Sequence, residues 1–269
     1  AGTTTVSNGA TFFAGQNVIQ GGEFIFNNGK LANDVEINGD ALLTIVGDKT
    51  FNGNEMTVDG QSYSFVLKDA DFTGSDTKID TTADNLSADI EFSNGAGIGA
   101  SADITLTKSA DSTGRLTMAD GAVSEGGSVT LTEGTSFDIT ASDFDLNTDI
   151  SSASGIGEVN VKNTVQTLDI NSDNSAFNGI YNQDAGTVTV NNGAKFFNGT
   201  NNIKAGSVIF KNGSFLNGNN ILTNTAAMVI EGGANLSADS VVNLSGTDSS
   251  LSFASGGTYT LDSSSLTVT

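Results

Sequence analysis

Apolar and polar residues alternate along this chain in short runs. Phe24-Ile25-Phe26, Val35-Glu36-Ile37, Ile104-Thr105-Leu106, Val129-Thr130-Leu131, Val159-Asn160-Val161, Leu168-Asp169-Ile170, Val188-Thr189-Val190 and Val208-Ile209-Phe210 are of this kind. Most place apolar residues at i and i+2, the period of a strand with one buried and one wet face. No 11-residue window carries a convincing helical stripe. The runs also recur at a longer interval. Val190, Phe210 and Ile230 stand twenty residues apart, as do Asn192-Gly193, Asn212-Gly213 and Gly232-Gly233. Residues 5–31 return at 189–215 with 15 of 27 positions identical. A fixed period near 20 residues, built of strands and turns, predicts a stacked solenoid.

The turns admit two readings. Ten Asn-Gly pairs punctuate the strands, and Asn-Gly is a strong signal for a two-residue hairpin. Hairpins need only local regularity, however, whereas the twenty-residue return of turns and apolar residues fits one full coil. The predicted class is therefore all-β, a parallel β-helix with coils of about 20 residues. In it Asn8-Gly9, Asn28-Gly29, Asn192-Gly193 and Asn212-Gly213 form a turn ladder with stacked amides. Val190, Phe210 and Ile230 form a core stack. The whole chain, 1–269, reads as one solenoid of about 13 coils, on the order of 60 Å long at the spacing of paired strands. Coils are regular over 1–60 and 155–269 and less regular over 69–148.

Composition sharpens this picture. The 269 residues include no Pro, Cys, His or Trp. Proline would remove a ladder hydrogen bond from a central strand, and nearly every strand of a solenoid is central. With 31 acidic against 10 basic residues, the net charge of −21 disfavours nucleic acid and anionic membrane as partners. No apolar run reaches the length of a membrane-spanning helix, so no membrane insertion of this segment is expected. Residues 1–5 lack the basic start and apolar stretch of a signal peptide, so an exported protein would be represented by its mature part. Both ends read as bare strands, as expected either of a piece of a longer chain or of ends that stack on further copies.

The steps Gly155-Ile156-Gly157-Glu158-Val159, Asp173-Asn174-Ser175-Ala176-Phe177-Asn178-Gly179 and Ala185-Gly186-Thr187-Val188-Thr189-Val190 resemble the passenger repeats of bacterial autotransporters (type V secretion). The resemblance is best over residues 155–233, returns at 5–51 and thins between 69 and 148. It implies a right-handed parallel β-helix displayed on an outer membrane, often as an adhesin. The alternating segments with aromatic girdles of that family's translocator barrel are not found here.

Absence of His and Cys excludes a Ser-His-Asp triad, a Cys-His dyad and the usual zinc sites. Carboxylate chemistry survives. Parallel β-helices include polysaccharide hydrolases that use paired acids, and Asn147-Thr148-Asp149 matches one of their short motifs. Their Asp-Asp pair, Gly-His-Gly and Arg-x-Lys are missing. Asp69, Asp71, Asp76, Asp80, Asp84 and Asp89 crowd one region, and Asp143, Asp145 and Asp149 another. Calcium wants several such oxygens, but neither run has a calcium-loop spacing, so solvated acidic turns and no cofactor are expected, with bound calcium as the alternative. Of Phe12-Phe13 and Phe196-Phe197, one ring each should fill the interior while the other packs at a corner.

The expectation is a non-catalytic extracellular or cell-surface protein of a bacterium, an adhesin or structural surface rod. Its partners would be host or bacterial surface molecules or further copies of itself. The alternatives are a filament or surface-layer subunit built by end stacking and, in another class, a carboxylate-dependent polysaccharide hydrolase.

Overall fold

The computed structural model describes residues 2–7, 17–19, 22–27, 35–38, 41–46, 49–51, 56–59, 64–67, 70–73, 78–87, 89–93, 95, 97–100, 102–108, 113–153, 156–236, 240–255, 260–261 and 267–268, with side-chain burial at 2–7 and within 90–255. All regular structure among them is strand, and the strands stack in parallel at about 21-residue intervals as a right-handed β-solenoid. Parallel pairing excludes the hairpin reading of the Asn-Gly turns. The chain divides into two compact units, Ala1–Phe137 and Asp138–Thr269.

In the first unit one ladder runs through Thr3–Ser7, Gly22–Asn27, Ala41–Val46, Ser64–Leu67, Lys78–Ser87, Asp103–Thr107 and Ser128–Leu131. A second joins Lys49–Phe51, Ala70–Thr73, Asp89–Ser93 and Arg115–Met118. A third runs through Asn17–Ile19, Val35–Asn38 and Met56–Asp59. It meets the start of Lys78–Ser87, whose register shifts between Ala83 and Leu86. That one long strand thus serves two ladders. Inward residues stack like on like: Ile104 on Val129, Leu106 on Leu131, Ile90 on Leu116 and Phe92 on Met118. All eight are buried.

The second unit is more regular. Its first sheet contains Asp143–Leu146, Thr167–Ile170, Thr187–Val190, Ser207–Phe210, Ala227–Ile230 and Ser250–Phe253. The chain then turns into a narrow second sheet, which holds Phe215–Leu216, Asn235–Leu236 and Thr260–Leu261. It closes each coil through a third sheet, with Glu158–Val161, Ile180–Gln183, Thr200–Ile203, Asn219–Leu222, Val241–Leu244 and Thr267–Val268. Strand pairs such as Thr187–Val190 on Ser207–Phe210 are buried alternately, as the period-two pattern demands.

Val190, Phe210 and Ile230 are register partners in successive coils, and all three are fully buried. At roughly 1.5–3 kcal/mol for each large apolar side chain removed from water, such columns supply the main attraction between coils. Phe196 and Phe197 are both fully buried, which differs from the expected inside-and-corner split. The chain rounds from second to third sheet there, so strand alternation stops and two successive side chains turn inward. The next coil repeats this with buried Leu216 and Asn217. Phe12 and Phe13, like Asn8, Gly9, Asn28 and Gly29 of the expected turn ladder, lie outside the described residues.

Candidate functional site

Outward positions of the second unit carry its polar chemistry. In the third sheet, Asn202 Nδ2 donates to Asn182 Oδ1 at 3.0 Å and Asn182 Nδ2 to Asn160 Oδ1 at 2.9 Å. Asn160 Nδ2 donates in turn to Asp138 Oδ1 at 2.8 Å. Every amide points the same way, and the column ends on a carboxylate, an acceptor needing no donor of its own. Lys162 Nζ lies 3.3 Å from the other oxygen of Asp138.

Past the first sheet, Asn191 Nδ2 donates to Asn171 Oδ1 at 2.7 Å and Asn171 Nδ2 to Asn147 Oδ1 at 3.1 Å. The same column continues upward as the Lys211–Glu231 ion pair, at 2.7 Å. A third amide step joins Asn198 Nδ2 to Asn178 Oδ1 at 2.9 Å. Asn192 and Asn212, named from the Asn-Gly pattern, stand exposed one residue beyond the Asn191 column. The Oδ1 of Asn192 lies against Gly213, and that of Asn212 against Gly233. Gly193 and Gly213 hold φ of 82° and 80°, a region that costs other residues energy. Asn171 and Asn191, and Asn182 and Asn202, also repeat at twenty residues, a signal available in the sequence but masked by the attention Asn-Gly pairs draw, while Asn178 and Asn198 are in Asn-Gly pairs that do stack.

The direction of these ladders has a measurable consequence. An Asp at a lower rung keeps the acceptor that the rung above needs, whereas an Asp at an upper rung sets oxygen against oxygen. Asn198 is exposed, so N198D is expected to cost about 0.5–1.5 kcal/mol, the net worth of one hydrogen bond, and N178D, with the same change in net charge, less. Urea midpoints of the two variants check this, and equal losses would contradict it.

Interior polar groups are held equally closely. Tyr181 Oη donates to Gln183 Oε1 at 3.2 Å, and Gln183 Nε2 reaches the carbonyls of Gly186, Ala205 and Ser207 at 3.1–3.4 Å. Complete burial pushes the Tyr181 phenol far above its ordinary 10.0, so it stays protonated and a donor. Asn201 Nδ2 has Phe197 and Asn217 carbonyls and Asn220 Oδ1 around it. Its Oδ1 is the one buried side-chain polar atom without a partner among the described residues.

The acidic candidates fall mainly on outward positions. Asp143 accepts from the Thr167 hydroxyl one coil on. Asp145 and Asp169 are register partners. Asp149 Oδ1 accepts the Asp173 N–H at 2.8 Å. Asp173 pairs with Lys195 at 2.7 Å, and Lys195 Nζ also lies 5.8 Å from the Phe215 ring centre. Burial pushes the Asp173 carboxyl up, but hydrogen bonds from Lys195 and Ser175 outweigh that and hold it below its ordinary 3.8. No group of three or more acidic residues converges as a metal site among the described residues. Of the Asp69–Asp89 run, Asp69 and Asp76 lie outside the described residues, and only backbone is described at Asp71, Asp80, Asp84 and Asp89.

Asn147-Thr148-Asp149, the segment shared with polysaccharide hydrolases, is drawn into the coil-to-coil bonding. Asn147 accepts from Asn171, Thr148 is fully buried, and Asp149 holds a backbone N–H of the next coil. No family model, curated protein or solved structure matches the chain.

Proposed function

We propose that the chain is a non-catalytic extracellular or cell-surface protein of a bacterium, acting as an adhesin or a structural surface component. The observation that carries this reading is the use made of Asn147-Thr148-Asp149. A glycosidase acid or base must face its substrate and exchange a proton with it. Here the Asp149 carboxylate is bonded to the Asp173 N–H and the neighbouring Asn147 belongs to an amide ladder. Polar side chains of the second unit are spent on joining one coil to the next, which favours a durable scaffold over a reaction centre.

The outward columns of the first sheet suit a contact role. Asp143, Thr167, Thr187 and Ser207 follow one another in register, and Asp145, Asp169 and Thr189 form the adjacent column. They offer hydroxyls and carboxylates at the inter-strand spacing to polar molecules of host or bacterial surfaces. The resemblance to autotransporter passenger repeats supports display outside the cell, and the net charge of −21 disfavours a nucleic-acid partner.

Incubation of the purified chain with acidic and neutral polysaccharides tests the reading. No turnover is expected. Turnover abolished by D145N or D149N would replace this reading with a carboxylate-dependent hydrolase. Beads coated with the chain are expected to bind cells, with binding weakened when Asp145 and Asp169 are both changed to asparagine.

A further inference from the structure

We propose that the Asn-Gly turns of the second unit are latent succinimide sites, each held unreactive by a bond that ties down one of its two reactants. In this reaction the glycine backbone nitrogen loses its proton and attacks the asparagine Cγ. The bond from Cγ to the side-chain nitrogen breaks, and ammonia leaves with that proton. Water then opens the ring at either carbonyl, leaving aspartate or isoaspartate. No oxidant or reductant takes part. The step needs a glycine nitrogen free to deprotonate and an asparagine side chain free to swing toward it, and it underlies part of the thermal lability of asparagine.

The five Asn-Gly pairs of this unit fall into two complementary groups. At Asn192-Gly193 and Asn212-Gly213 the asparagine side chains are exposed, and neither makes a hydrogen bond among the described residues. Their glycine nitrogens, however, are committed. Gly193 N–H donates to the Gly213 carbonyl at 3.1 Å, and Gly213 N–H to the Gly233 carbonyl at 2.8 Å. At Asn178-Gly179, Asn198-Gly199 and Asn217-Gly218 the arrangement is reversed. No acceptor meets the glycine N–H among the described residues, but the side chains are tied. Asn198 donates to Asn178 at 2.9 Å, Asn178 to the Ala176 carbonyl at 3.3 Å, and buried Asn217 to the Phe196 carbonyl at 2.7 Å. No pair has both reactants free. A unit rich in this labile dipeptide is thereby made durable by its stacking.

Peptide mass spectrometry of the full chain, held at mildly alkaline pH folded and in urea, tests this. All five sites are expected to deamidate at least about tenfold more slowly in the folded chain, the size of one net hydrogen bond. N178A removes the acceptor for Asn198 and should accelerate Asn198 alone, leaving Asn212 at its folded rate. N178D, which keeps an oxygen in that place, should leave Asn198 protected. Equal folded and urea rates at these sites would overturn the proposal, whatever the stability of the variants. So would equal Asn198 rates in folded N178A and N178D.

Discussion

Replacing Gly206 with alanine is expected to destabilise the second unit by more than about 4 kcal/mol, a loss seen only when a specific structural requirement is broken. Two causes add. Gly206 holds φ of 79°, which costs an L-residue roughly 1–2 kcal/mol. An added Cβ would also lie 2.0 Å from the Gly186 carbonyl oxygen and 2.8 Å from its nitrogen. Those atoms are backbone, and the coil spacing is fixed by the Ser207 N–H on the Gly186 carbonyl and the Ala227 N–H on the Gly206 carbonyl, both at 2.9 Å. Only separation of the coils relieves the overlap. Gly193 isolates the first cause, because its φ is 82° yet nothing lies within 4 Å of its would-be Cβ. G193A should therefore cost only the roughly 1–2 kcal/mol of the backbone conformation. Urea denaturation of both variants decides the matter, and similar midpoints would refute the close-packing argument.

Truncating Phe197 is the second large effect. Its ring lies 4.8 Å from Tyr181 in a stacked arrangement, 5.2 Å from Phe196 and 5.5 Å from Phe177, the last two edge-on. All four rings are fully buried. F197A should cost about 3–5 kcal/mol, because the neighbouring coils cannot close over the cavity while their ladders fix their spacing. Alanine at Ile156, which is 56% exposed, should change stability by no more than about 0.5 kcal/mol. Near-equal melting temperatures for F197A and I156A would show that this aromatic cluster is not what joins the coils.

The fold was legible because two signals with different periods agree. Alternation gave strands, and the return of Val190, Phe210 and Ile230 at twenty residues gave coils. The beat fades in the middle of the chain because coils there lengthen. Asp103 meets Ser128 twenty-five residues on, and Thr167 meets Asp143 across twenty-four, so a twenty-residue search loses phase while the strands remain. The ladder asparagines were harder to identify. Asn191 and Asn192 are neighbours of the same type, and only the outward direction of the residue just past the strand Thr187–Val190 decides which one stacks. The burial of both Phe196 and Phe197 depends on a corner, where alternation ceases to inform.

The uniform orientation of the Asn202–Asn182–Asn160–Asp138 column reaches into how such a chain can change over generations. Gain or loss of one complete winding leaves every donor facing an acceptor and every oily column unbroken. A gain of half a winding takes the asparagines out of line with one another and carries greasy side chains round to the solvent. Length in this unit therefore varies freely only in whole steps, and the near-copy shared by residues 5–31 and 189–215 is the kind of trace that growth by duplicated steps leaves behind.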